Sequence, residues 1–174
     1  MKHARHSQSG FFLIEALVAI LIFSLGILGM VALGGTAMGA QTDARYRTDA
    51  AALADELASA IVVNVDRDSD ANFLASLREF EHQPTGVDCN FSGTATAEPN
   101  AVAWLARVST QGPASPGLPN AAAANQQILI DTSATGFNRV QITVCWQAPN
   151  DRAMRRHTLV TYINGLAPPP PPVP

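Results

Sequence analysis

A long uncharged apolar run near the amino terminus constrains this chain more than any other feature. Glu15 is the only charged residue from Phe11 through Thr42. About 20 apolar residues are enough for a helix to cross the hydrocarbon layer of a membrane. A backbone inside that layer must be helical, because it has to satisfy its own hydrogen bonds. The run therefore predicts a membrane-spanning helix.

The charges that flank the run predict its orientation. Lys2 and Arg5 precede it, whereas the acidic and basic residues that follow it cancel. Basic residues favour the cytoplasmic side of a membrane. We therefore expect a single-pass protein with residues 1–10 in the cytoplasm and the chain after about residue 40 outside.

Glu15 distinguishes this run from simpler membrane segments. A secretory signal peptide has a shorter apolar region, and an ordinary signal anchor does not explain a carboxylate inside the span. Such a carboxylate costs a few kcal/mol, and it is expected to have a function and a partner. Cleavage after Gly10 would place a charged amine on Phe11, which could pair with Glu15 of a neighbouring helix and offset the desolvation of both groups.

The residues around this position resemble a known signal. The stretch SGFFLIEALVAILIFSLGILGM resembles the type III signal of type IV prepilins, with Gly before the cut, an aromatic first residue and Glu fifth. The resemblance implies that prepilin peptidase cleaves between Gly10 and Phe11 and removes residues 1–10 as a leader. It also implies that Phe11 is N-methylated and that Glu15 is the carboxylate used in assembly.

The helix is expected to continue beyond the membrane, over residues 11–62. Its membrane and assembly part would cover about 11–40, and its amphipathic part about 41–62. Apolar residues recur there at spacings of three and four, which is typical of a helix with one buried face; they are Tyr46, Ala50, Leu53, Leu57, Ala60 and Ile61. Five glycines in the run favour close helix packing or local unwinding; they are Gly26, Gly29, Gly34, Gly35 and Gly39.

Residues 63–167 are expected to form a globular head. A short helix is predicted over residues 73–80, and strands are predicted at 101–109, 127–131, 138–147 and 156–163, the last two as a hairpin. Together with the long helix this is an α+β arrangement, a helix packed on a small antiparallel sheet, as in the type IV pilin fold. Residues 168–174, PPPPPVP, are a polyproline tail that is either a spacer or without a role.

Cys89 and Cys145 are the only cysteines. In an exported domain a disulfide between them is expected, the alternative being two buried free thiols.

No residue pattern indicates catalysis, a cofactor or a metal. The acidic segment 66–70 lacks the glycine and the final acid of a calcium-binding loop, so a solvated turn is expected there. His82 and His157 have no ligand spacing and are expected to be surface or structural residues. The formal charge of −3 without a basic stripe argues against nucleic acid as a partner.

Beyond the leader, the chain is similar to the PilV family of minor pilins. The resemblance rests on FFLIEALVAILIFSLGILGM, on LADELASAI, and on VQITVCWQ followed by TLVTYI. It implies a low-abundance subunit that initiates or modifies type IV pili in twitching motility and adhesion, first in the bacterial inner membrane and then in the surface pilus. Implied partners are prepilin peptidase, other minor and major pilins and the inner-membrane assembly platform. The alternatives are a minor pseudopilin of a type II secretion system and a signal-anchored monomeric periplasmic binding module.

Overall fold

The computed structural model describes residues 9–112, 115–149 and 151–165, and the chain divides after Ala44 into two units. Residues 1–8 of the expected leader and the expected tail at 168–174 lie outside the described residues. The elements in chain order are α1 (Ser9–Asn64), α2 (Asp70–Glu79), β1 (Thr85–Val87), β2 (Asn90–Ser92), α3 (Pro99–Ser109), β3 (Gln111–Gly112), β4 (Ser115–Pro116), a 3-10 turn (Ala123–Asn125), β5 (Gln127–Asp131), β6 (Arg139–Trp146) and β7 (Arg155–Tyr162).

The first unit contains the apolar part of α1. Its large apolar side chains from Phe12 to Met38 are 47–75% exposed, so no face of this segment is covered within the unit. A helix that is apolar all round requires an apolar environment, such as a membrane or other protein. The core helix of a soluble protein is mostly buried, and this segment is not. In the described part of the chain, α1 is the one helix long and apolar enough to cross a membrane.

The second unit begins with the remainder of α1, which supplies one wall of the head's core. Its buried residues lie three and four positions apart, as the sequence predicted; they are Ala50, Leu53, Ala54, Leu57 and Ile61. Two details differ from the expectation, since Ala54 is buried and Ala60 is only partly so. Ala60 lies at the edge of the buried face rather than at its centre.

A three-stranded antiparallel sheet, in the order β5-β6-β7, forms the opposite wall of the core. The buried face predicted for the central strand is confirmed, because Val140, Ile142, Val144 and Trp146 are all buried. Thr143 and Cys145 on its other face are buried as well, so the second half of this strand is covered on both faces. The hairpin predicted between the last two strands is also confirmed, with Ile142 opposite Leu159. The short predicted helix is present as α2, capped by Ser69 Oγ, which accepts a hydrogen bond from Asn72 N at 3.1 Å.

The strand predicted over residues 101–109 is wrong, because this segment is the helix α3. Pro99 occupies the first turn, where a missing N–H costs nothing. The Glu98 carboxylate caps the helix by accepting a hydrogen bond from Ala101 N at 2.7 Å. The apolar side chains of Ala101, Trp104 and Val108 are buried at helical spacing, and Trp104 Nε1 donates to Leu53 O at 2.7 Å.

A short hairpin of β1 and β2 lies against the outer face of the sheet. Its turn residues, Asp88 and Cys89, both have positive φ, of 53° and 65°, which is the geometry of a type I′ turn. Cys89 forms a disulfide with Cys145 of β6. Asp88 pairs with Arg156 at 2.5 Å, and Asn125 Nδ2 donates to Cys89 O at 2.9 Å. The hairpin tip is therefore held to the sheet by the disulfide and the Asp88–Arg156 ion pair, and to the 3-10 turn by the hydrogen bond from Asn125.

Candidate assembly site

Glu15 is an exposed carboxylate on an apolar helix face. It lies in a shallow hollow of that face together with four apolar residues, Ile14, Val18, Ala19 and Ile22. The chain has no basic residue between Glu15 and Arg45, so the first unit offers no cation after this carboxylate. A cation for Glu15 would have to come from the residues before it or from another molecule.

The hydroxyl side chains of the segment donate hydrogen bonds within the helix. Ser24 Oγ donates to Ile20 O at 2.7 Å, and Thr36 and Thr42 donate in the same way to carbonyls three and four residues back. Hydroxyl groups bonded like this can enter a membrane at little cost. Glu15 therefore differs from them, since an ionised carboxylate only accepts hydrogen bonds and cannot donate to a carbonyl of the preceding turn.

The glycines of the span are helical and open to their surroundings. A Cβ added at any of the five would meet nothing within 4 Å; they are Gly26, Gly29, Gly34, Gly35 and Gly39. The helix is continuous through them in the single chain, and local unwinding in a filament stays a prediction. The unit itself has no steric need for glycine here, and the missing side chains leave room for another helix to approach closely.

Gly10 and Phe11 lie in the first turn of α1, which begins at Ser9. Their side chains are outside what the structure describes, so the arrangement around the expected cleavage bond stays a prediction. Phe12 is the first side chain of the span that is described, and it is 75% exposed.

The two histidines of the head lie apart in the fold's elements, and His157 is half-buried on β7. His82 is buried, and its Nδ1 accepts a hydrogen bond from Thr96 N at 3.2 Å. Nε2 therefore carries the proton and donates to Ala123 O at 3.0 Å. Within the described ranges no three His, Cys, Asp or Glu side chains are grouped to hold a metal ion.

The acidic segment before α2 forms a turn. Asp66 Oδ1 accepts a hydrogen bond from Asp68 N at 2.8 Å, and Asp66 N donates to Ser76 Oγ at 2.9 Å. These contacts tie the turn to α2, which agrees with the solvated turn that the sequence predicted.

The head also has an open groove between its part of α1 and the edge strand β7. Exposed valines line it from both sides, Val62 and Val63 on the helix and Val160 on the strand. Asp55 is at its rim. Exposed apolar surface next to an unpaired strand edge is typical of a protein contact.

Comparison with known proteins gives no relative. No family model matches the chain, and no curated protein or solved structure matches it. The function of the chain therefore has to be inferred from its own residues.

Proposed function

We propose that this chain is a type IV pilin-like subunit, similar to the minor pilins of the PilV family, that helps to initiate or modify pili. It is a structural subunit and not an enzyme. It is inserted once in the bacterial inner membrane, with its amino terminus in the cytoplasm and its head in the periplasm. It then moves into the pilus through contacts with other pilins and the assembly platform.

The observation that carries the proposal is Glu15, the one charged residue from Phe11 through Thr42, in a part of α1 that is otherwise uncharged and whose large apolar side chains are exposed. A carboxylate in lipid is costly unless a cation meets it. Removal of residues 1–10 by prepilin peptidase would create an ammonium group on Phe11, four residues away in sequence. In a bundle of such helices, the ammonium of one subunit faces the carboxylate of the next and fixes the stagger between them.

The head supports this proposal in a second way. Its core is completed by residues 50–61 of the same helix, as expected for a subunit whose helix both crosses the membrane and carries the head. The open glycine positions offer close approach to neighbouring helices. The exposed valines beside β7 offer a contact for the head of another pilin.

Substitution of Glu15 tests the assembly role. In a piliated host, Glu15→Ala should be cleaved like the unchanged protein, giving a mature chain that begins at methylated Phe11 by mass spectrometry. It should be absent from sheared filaments. The matched control is Ser24→Ala in the same span, because the Ser24 hydroxyl is bonded within the helix and should not be needed for assembly.

Three results would contradict the proposal. Normal incorporation of Glu15→Ala would remove the assembly role of the carboxylate. A mature protein that retains Met1 would favour a plain signal anchor on a monomeric periplasmic module. Loss of exoprotein export with normal pili and twitching, on deletion of the gene, would assign the chain to a type II secretion system instead.

A further inference from the structure

Phe137 is an exposed aromatic residue in a strained turn between β5 and β6. Its side chain is 72% exposed, and its φ is +52°, followed by Asn138 at +56°. Asparagine tolerates this left-handed region, whereas phenylalanine has a cost on the order of 1 kcal/mol there. Exposure of the ring to water gives no stabilising contact that would offset this backbone strain. Phe137 is therefore a candidate contact residue.

The turn that carries Phe137 is held firmly by its own hydrogen bonds. The Asp131 carboxylate accepts hydrogen bonds from Ser133 Oγ at 2.6 Å and from Ser133 N at 3.0 Å, and these bonds lower the pKa of Asp131. Gly136 N and Phe137 N both donate to Ser133 O. A Cβ on Gly136 would lie 2.2 Å from Cγ of Asp131, so a larger residue there would have to displace the Asp131 carboxylate. The ring of Phe137 is thus presented from a fixed backbone.

A shallow groove lies between this turn and α2, and we call it the tail groove. Its lining is mixed: the apolar residues are Phe73, Leu74, Ala134 and Phe137, the polar residues are Asp70, Thr132, Ser133 and Asn138, and Gly165 completes it. The last described residues of the chain reach its rim. Ile163 N donates to Asn138 O at 3.1 Å, and a Cβ on Gly165 would lie 3.4 Å from Cε1 of Phe73. The described part of the chain therefore ends at this groove.

Those residues have the chemistry that such a groove accepts. Residues 166–174 read LAPPPPPVP, without a charge. Proline-rich segments favour the polyproline II helix, and at about 3.1 Å per residue nine residues reach roughly 28 Å. Aromatic-lined grooves bind such helices, because little conformational entropy is lost on docking. Attachment at the rim also gives the segment a high effective concentration at the groove.

We propose that residues 166–174 dock in the tail groove of their own chain, with the proline rings packed against Phe137. Docking covers the exposed ring and fixes the chain beyond β7 against the β5–β6 turn. This contact is independent of filament assembly, so it can be tested on the isolated full-length protein.

The test is paramagnetic relaxation by NMR on the full chain in detergent micelles. Both native cysteines are in the disulfide, so Val173→Cys provides a single thiol for a nitroxide label. Amide signals of residues 132–138 should lose most of their intensity, and reduction of the nitroxide should restore it. Phe137→Asn, which suits the left-handed backbone, should abolish this loss. Val87→Ser, which replaces an equally exposed residue on the distant hairpin, should leave it unchanged.

Several outcomes would overturn the proposal. One is an absence of local intensity loss; another is a loss that persists in Phe137→Asn. If Phe137→Asn does not fold, the double variant Pro169→Gly, Pro170→Gly is measured instead. A loss of signal intensity that persists in this double variant would also overturn the proposal. A loss seen only when labelled chains are mixed with separate ¹⁵N-labelled chains would place the tail in a neighbour's groove and refute docking within one chain.

Discussion

The two tryptophans of the head are equally buried, but the indole N–H of one is hydrogen-bonded and that of the other is not. Replacing each of them therefore measures the contribution of this hydrogen bond to the stability of the head. Each is 1% exposed. Trp104 Nε1 donates to Leu53 O at 2.7 Å, whereas Trp146 Nε1 has no partner among the residues that the structure describes. Replacement of either by phenylalanine removes a similar volume from the core, so the cavity costs are similar and largely cancel in the comparison.

The hydrogen-bonding contributions do not cancel. Trp104→Phe loses a buried hydrogen bond worth about 1 kcal/mol net. Trp146→Phe removes an unsatisfied buried donor, and this removal alone stabilises the head by about 1 kcal/mol or more. We therefore expect Trp104→Phe to lower the free energy of unfolding of the head by about 2 kcal/mol more than Trp146→Phe does.

Urea unfolding of the full chain in micelles measures this difference, with the remaining tryptophan as the fluorescent reporter in each variant. The two variants must show equal urea dependence of the unfolding free energy, since otherwise the extrapolated values are not comparable. Equal destabilisation by the two substitutions, or a larger loss for Trp146→Phe, would refute the assignment of the hydrogen bonds.

Two further predictions concern the disulfide and the β5–β6 turn. Replacing both Cys89 and Cys145 by alanine opens a loop of sequence separation 56 and should lower the unfolding free energy of the head by about 4 kcal/mol in the chain-entropy model; a loss below about 1 kcal/mol in urea unfolding would contradict that model. The pKa of Asp131 lies below its ordinary value of 3.8, chiefly because Ser133 hydrogen-bonds to the carboxylate. The stabilisation linked to this carboxylate is therefore fully present above about pH 4 and is lost as the pH falls through the lowered pKa. An NMR titration should show Ser133→Ala moving the pKa up towards 3.8, and moving it further than Arg139→Gln does, because the charge of Arg139 is the smaller cause; an unchanged pKa in Ser133→Ala would reject this account.

Elements with a strong sequence period were predicted well. The central strand β6 alternates apolar and polar residues, and β7 follows it after a short turn, so both strands and their pairing could be read from the sequence. The buried face of α1 followed in the same way from spacings of three and four. In these segments the residues with the predicted period are buried, because they face the core of the head. The other face of β6 is also covered at Thr143 and Cys145, which the alternation does not predict.

The errors occurred where the period was ambiguous or the turn unusual. Residues 101–105 are nearly all apolar and fit a helix or a strand, and the deciding signals, Glu98 and Pro99, lie just before them. The β1–β2 hairpin was missed because its turn residues, Asp88 and Cys89, include no glycine. The disulfide and the polar contacts that hold these two residues join them to residues far away in the sequence. A local pattern therefore does not predict this turn.

The same distinction applies to the candidate sites. Glu15 could be identified from the sequence, since a lone charge in an apolar run is visible there, although its role in assembly stays a prediction. The tail groove could not be identified. It depends on the backbone angle of Phe137 and on where Gly165 lies, and neither is encoded in a local pattern.

The sharing of α1 between the two units limits how the head could be shed from the cell. Residues 50–61 of the helix are part of the head's own core, so a protease that cuts before residue 45 would release a head with its core intact. A cut after Leu53 would instead strip apolar side chains from that core and leave a fragment prone to unfolding and degradation. The window for releasing a folded ectodomain is therefore narrow, since it begins where the apolar span ends at Thr42 and closes before Ala50, the first buried residue of the core.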